Sequence, residues 1–206
     1  MSIDKTGKTL VEYNVRNGQY KTAGGTISPL TWLTKVSLEK ALSTQEIYGD
    51  GELQLTLVKD SGFTGILGMT ARDKEFEIAN GMQMEVDGGH ADVQIDAMPE
   101  NSIYFETDFA GKDGIVKSKK VWLYGVEVGT PGEALDQSTD TPNINNAEYP
   151  ITVKGEYLKA TGGTADYVDS TTGKKKKVFK LSATPTDSGY AAFGDSVPVP
   201  TVKSGG

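Results

Sequence analysis

Three groups of residues in this 206-residue chain have types and spacings that could do chemistry. The first is His90, the single histidine, which sits in GGHAD where a glycine turn enters a strand. A serine triad needs a positioned base and a nucleophile elbow of the form G-x-S-x-G, and no such elbow is present. His90 therefore reads as a surface turn residue, and one histidine excludes a two-His zinc site. The second group is TTGKKKK at Thr171–Lys177. A phosphate-binding loop would need glycine where Val168 stands and Ser or Thr after Lys174, so the pattern fails. The run Lys174–Lys177 then reads as the solvated, edge-protecting entry to a strand, or as a contact to phosphate.

The third group is carboxylates. Between Asp73 and Asp96 there are seven acids and one lysine. Lys74–Ala79, Met82–Asp87 and Ala91–Met98 each read as a strand with an apolar and an acidic face, because successive side chains alternate. Glu75, Glu77, Glu85, Asp87, Asp92 and Asp96 fall on the acidic faces. Three readings fit: an ordinary solvated face, a calcium site, or an anionic surface that repels phosphate or meets a basic partner. The calcium reading is weak, since no D-x-[DN]-x-[DN]-G loop occurs.

The elements that must position these residues are strands. Thr9–Val15, Lys35–Leu42 and Glu52–Lys59 alternate apolar and polar residues, and Lys40 interrupts the apolar side of the second. Ile103–Phe109, Val116–Val128, Glu148–Leu158 and Lys175–Leu181 continue the pattern, separated by turn signals such as Asp50-Gly51, Asn80-Gly81, Asp113-Gly114 and Gly162-Gly163. Strands every 8–12 residues predict an all-β sandwich or partly open barrel. One helix is predicted, over Ser61–Thr70, where Phe63, Ile66, Leu67 and Thr70 have helical spacing; Gly62, Gly65 and Gly68 weaken it. Gly18–Pro29 and Gly129–Pro150 read as extended loops, and residues 182–206 as a C-terminal arm carrying Tyr190 and Phe193. The latter is either packed on something, such as a neighbouring copy, or frayed. Residues 1–181 form the expected domain.

Composition limits what the chain can do. There are no cysteines, so disulfides, thiolate metal sites and cysteine nucleophiles are excluded. Twenty-one Lys and Arg against 28 Asp and Glu give a net charge of −7, which disfavours a general nucleic-acid binder. No window is apolar enough to span a membrane as a helix. The start, MSIDKTGKTL, lacks a secretory apolar run, so folding in the cytoplasm is expected. Catalytic, metal and cofactor-binding residues are not nominated, and no enzyme is expected. Hydrophobic residues are 36% and glycines number 25, which suggests a thin core completed elsewhere.

Four segments in order resemble the major tail tube protein of long-tailed (siphovirus) bacteriophages of Gram-positive hosts. They are EIYGDGELQLTLVK at Glu46–Lys59 with the following FTGILGM, the strand KKVWLYGVEVGTPGE at Lys119–Glu133, the polar loop Ala134–Ala147, and YPITVKGEYL at Tyr149–Leu158. Residues 160–206 carry no part of the resemblance, and the helical stretch has more glycine than the family's leucine-rich version. The resemblance implies a β-sandwich with a flanking helix, assembled as hexameric rings stacked into a hollow tube. It implies partners: further copies of itself, a tape measure protein, a tail terminator and a distal tail protein. DNA would pass through the lumen without specific binding, and the protein would reside in the virion. The loop Ala134–Ala147, the N-terminal residues and Ser182–Gly206 would bridge rings, and the six acids would face the lumen and repel phosphate. Trp122 and Tyr124 alternate with Val121 and Leu123, so both faces of that strand are expected in a core or subunit interface, as are Tyr190 and Phe193. The rival expectation is a monomeric β-sandwich that binds a receptor or carbohydrate on Trp32, Trp122, Tyr124 or Tyr157.

Overall fold

The computed structural model describes residues 9–111, 114–132 and 146–203. Residues 1–8, Asp113 and nearly all of the Ala134–Ala147 loop lie outside them. The described residues are mainly β, 57% strand and 3% helix, so a sheet carries the architecture. In chain order the elements are β1 (Thr9–Thr22), β2 (Ser28–Pro29), β3 (Leu33–Gly49), β4 (Glu52–Met69), α1 (Lys74–Ala79), β5 (Gln83–Val86) and β6 (Gly89–Asp92). Then follow β7 (Asn101–Gly111), β8 (Val116–Val128), β9 (Ala147–Val153), β10 (Glu156–Tyr157), β11 (Lys177–Val178) and β12 (Lys180–Ala183). One antiparallel sheet runs β2-β1-β7-β8-β9-β4-β3, and β12 pairs with β8. β1 and β3 also approach one another, bending the sheet toward an open barrel.

Two core layers lie on opposite faces of β7 and β8. Ile103, Phe105, Val121 and Leu123 join Leu67, Phe76, Tyr149 and Val153 in the larger layer. Tyr104, Trp122 and Tyr124 point the other way and join Ala183 and Phe193. Period-two alternation with both faces covered is what VWLY required. Burying an aromatic side chain removes about 150–250 Å² from water, on the order of 5 kcal/mol of gross transfer energy.

The helix is not where the spacing placed it. Ser61–Thr70 is strand, the end of β4, and its glycines are the reason. A Cβ on Gly65 would lie 1.8 Å from the Ser37 carbonyl oxygen, and one on Gly62 would lie 2.0 Å from that of Val153. These glycines allow close approach of neighbouring backbone, as isolated strand glycines often do. Lys74–Ala79, expected as strand, is the helix. The Asp73 side chain caps it by accepting from the Phe76 amide, and Asn80 with Gly81 (φ 70°) ends it. The neighbouring expected strands shrink to β5 and β6, a hairpin turned at Asp87-Gly88, and residues 93–98 leave the sheet.

Other boundaries shift for local reasons. β1 runs on into the expected Gly18–Pro29 loop, where Gly18 is buried against Leu30 and Leu33. The Gly129–Pro150 loop loses Ala147–Pro150 to β9. Glu148–Leu158 breaks at Gly155 (φ 69°), whose added Cβ would meet Phe179 at 2.6 Å. Lys175–Leu181 divides into β11 and β12 around Phe179. Lys40, the interruption in the apolar side of β3, stays there: its Nζ lies 4.5 Å above the Phe63 ring and 2.7 Å from Asp60.

Candidate functional site

The six nominated acids do not form one face. Glu77 is fully buried, which corrects its placement on an exposed acidic surface. Helix geometry turns it inward, where Arg72 donates to both of its carboxylate oxygens at 2.8–3.2 Å and the Tyr149 hydroxyl donates to Oε1 at 2.6 Å. Burial, and then the bond to Glu77, push the Tyr149 hydroxyl well above the usual phenol range. The Tyr149 oxygen also accepts from the Asp73 amide, and Asp73 accepts from the amide and hydroxyl of Thr31 at 2.7 Å. This network pins α1 to β9 and to the segment before β3. A buried charge needs such pairing, so Glu77 belongs to the structure of the core.

The other five acids are exposed, but not equally unneutralised. Asp92 takes two bonds from Arg72, which lower its pKa most, then one from Gln83. Glu85 lies 3.4 Å from Lys74 and 3.6 Å from His90, with Lys74 the larger cause of its lowered pKa. Glu75, Asp87 and Asp96 complete the set at the surface. His90 is an exposed residue of β6, as expected for a turn histidine. Among the described residues, no group of three or more His, Asp or Glu is arranged to hold a metal ion. No helix among the described residues is long and apolar enough to cross a membrane.

The four nominated aromatics come together. The Trp122 indole donates to the Phe193 carbonyl at 2.7 Å, and the Tyr124 hydroxyl donates to that of Pro198 at 2.8 Å. The Lys120 ammonium lies 4.6 Å from the Tyr190 ring centroid and donates to the Tyr190 carbonyl. Residues 184–203 are therefore packed on the chain's own second core layer. The run Lys174–Lys177 is exposed at the entry to β11. Lys175 pairs with Asp166 at 2.9 Å and Lys176 with Asp169 at 3.4 Å.

The largest exposed feature was not nominated. β3 and β4 form a hairpin of 17- and 18-residue strands turned at Asp50-Gly51, both with positive φ, as a type I′ turn requires. β9 supports β4 only over Phe63–Met69. From Asp60 to the turn, a span of roughly 30 Å, no third strand among the described residues flanks the pair. Leu55 and Leu57 share one side of this arm with Ile47, which pairs with Leu55, while a register shift at Ile47/Tyr48 pairs Leu53 with Tyr48; Ile47, Leu53, Leu55 and Leu57 are 40–51% exposed. Tyr48 and Val58 are 64% and 65% exposed. Strands usually run about 5–6 residues, so β3 and β4 are unusually long. Trp32, 80% exposed, borders a concavity of about 560 Å³ that Arg16, Tyr104, Glu106 and Asp195 also line.

No protein-family model matches this chain, and no curated protein matches it either.

Proposed function

We propose that this chain is a self-assembling structural protein, the tail tube subunit of a long-tailed bacteriophage. It forms hexameric rings that stack into a hollow tube through which the genome passes. The single observation that supports this reading is the β3–β4 arm. Isolated two-stranded hairpins are marginal in water, and this one carries Leu53, Leu55 and Leu57, which the described residues leave half exposed. The outer edge of β3 has no partner strand among the described residues, a surface that templates pairing unless it is covered. Neighbouring copies would cover both. The resemblance of Glu46–Lys59, Lys119–Glu133 and Tyr149–Leu158 to tail tube proteins makes a tube the assembly of choice. The tape measure, terminator and distal tail proteins are the partners that a tube requires. DNA meets the lumen as cargo, with no specific contact assigned.

The test is size-exclusion chromatography at low concentration beside negative-stain microscopy at high concentration. Wild-type protein forms rings or tubes, whereas Leu55→Lys with Leu57→Lys stays monomeric with unchanged secondary structure. A wild-type chain that never polymerises removes the proposal.

Trp32 favours a second reading, the monomeric binding module. With Trp122 and Tyr124 buried, the carbohydrate platforms left at the surface are Trp32 and Tyr157. A monomer that binds glycans and loses them on Trp32→Ala would establish it.

A further inference from the structure

We infer that two oppositely charged lobes join copies of this chain head to tail, an interface that deepens the assembly reading and rests on it. Over residues 154–180 there are seven lysines against Glu156, Asp166 and Asp169. Over residues 72–100 there are eight acids against Arg72 and Lys74. The net −7 of the chain therefore conceals a strong separation of charge.

In the basic lobe, Asp166 is occupied by Lys159 at 2.7 Å and Lys175 at 2.9 Å, and Asp169 by Lys176 at 3.4 Å. The lobe's positive surplus remains. Tyr157, 44% exposed, has the Lys175 and Lys177 ammonium groups 5.4 and 5.3 Å from its ring centroid. A partly exposed aromatic ring beside two cations is a surface suited to docking. In the acidic lobe, Glu77 is turned inward onto Arg72, and Glu75, Glu85, Asp87, Asp92 and Asp96 remain outward.

Phe76 and Met82 anchor the acidic lobe to the larger core layer. Beside the lysine run, Val178 packs with the Trp122 and Tyr124 layer and Phe179 packs against the larger layer. A second copy can bring its acidic lobe to this chain's basic one. Such a contact is heterologous, the kind that builds closed rings or filaments. A nucleic acid is the rival occupant of the lysines. It would have to approach a chain of net charge −7, whereas a second copy offers carboxylates already clustered.

Sedimentation velocity of the full chain at low and high salt tests this, with circular dichroism to verify folding. Lys174→Glu with Lys176→Glu weakens self-association about tenfold, and Asp87→Lys with Asp96→Lys does the same. All four substitutions in one chain restore association to within about threefold of wild type at low salt, and high salt weakens each attractive combination. The inference is overturned by single-lobe variants that associate normally, by a four-fold variant no better than either parent, or by a wild type monomeric throughout. It is also overturned if the lysine variant loses a DNA duplex while self-association is unchanged. Tubes indifferent to lobe charge would remove this contact and leave the tube reading. Charge-rescued oligomers without rings would do the reverse.

Discussion

The indole nitrogen of Trp122, in the middle of the sheet, donates to the carbonyl of Phe193 at 2.7 Å, 71 positions further along the chain. Trp122 is fully buried, and Phe193 is 8% exposed. This bond, with that from Tyr124 to Pro198, makes the C-terminal segment a cover for one core layer. Removing residues 184–206 should uncover Trp122 and Tyr124. In a Trp32→Phe background, which leaves Trp122 as the sole tryptophan, emission should shift to the red and a hydrophobic dye should bind. Unchanged emission would show that the cover is dispensable.

Glu77 gives a second prediction. Its carboxylate is fully buried and shared between Arg72 and Tyr149. Glu77→Ala removes the buried acceptor that Tyr149 shares with Arg72, which keeps its bonds to Asp92, and should cost about 3–5 kcal/mol, the usual result of breaking a buried pair. Tyr149→Phe removes one hydrogen bond and should cost about 1–3 kcal/mol. Urea unfolding compares them, and equal losses would contradict the ranking.

The third concerns glycine. Gly65→Ala forces a methyl group to within 1.8 Å of the Ser37 carbonyl, so β3 and β4 must separate there. A loss of more than about 2 kcal/mol is expected, as for overpacking that moves backbone. Gly132→Ala, with open space around it, should fall within about 0.5 kcal/mol of wild type. Thermal unfolding of the pair checks the contrast.

Acid sensitivity follows from three depressed carboxylates. Hydrogen bonds from Arg72 lower Asp92, those from Arg16 and then Asn14 lower Asp108, and those from Lys159 and then Lys175 lower Asp166. Each folded-state pKa lies below the unfolded value of about 3.9. Their stabilisation is therefore fully present above that value and is lost as pH falls through the lowered folded values. Stability measured from pH 6 to pH 2 should drop along an acid limb, and Asp108→Asn with Asp166→Asn should flatten it. A limb equally steep in that variant would place the acid sensitivity elsewhere.

Much of the fold was legible in the residues because period-two alternation is a local property. VWLY announced a strand buried on both faces, and both faces are buried. The 61–79 region was misread because its signals compete. Glycines at spacing three break a helix and also permit close strand packing, and only the Ser37 and Val153 backbones decide which applies. Asp73 as a cap before an acidic first turn, with Asn80-Gly81 behind, did hold a helix signature in the sequence. Alternation over so short a run concealed it.

What the sequence determined by itself is the strand content, the absence of thiol chemistry, the net charge and the turn at Asp50-Gly51, because each depends on residue type or near neighbours. Tertiary structure decided which carboxylates are surface and which are core, since Glu77 is turned inward only by a helix and held there only by Arg72 and Tyr149. It also decided that Trp122 and Tyr124 are covered by the chain's own C-terminal segment and that the β3–β4 arm stands uncovered. Burial depends on what arrives from distant parts of the chain, and alternation along one strand carries no record of that.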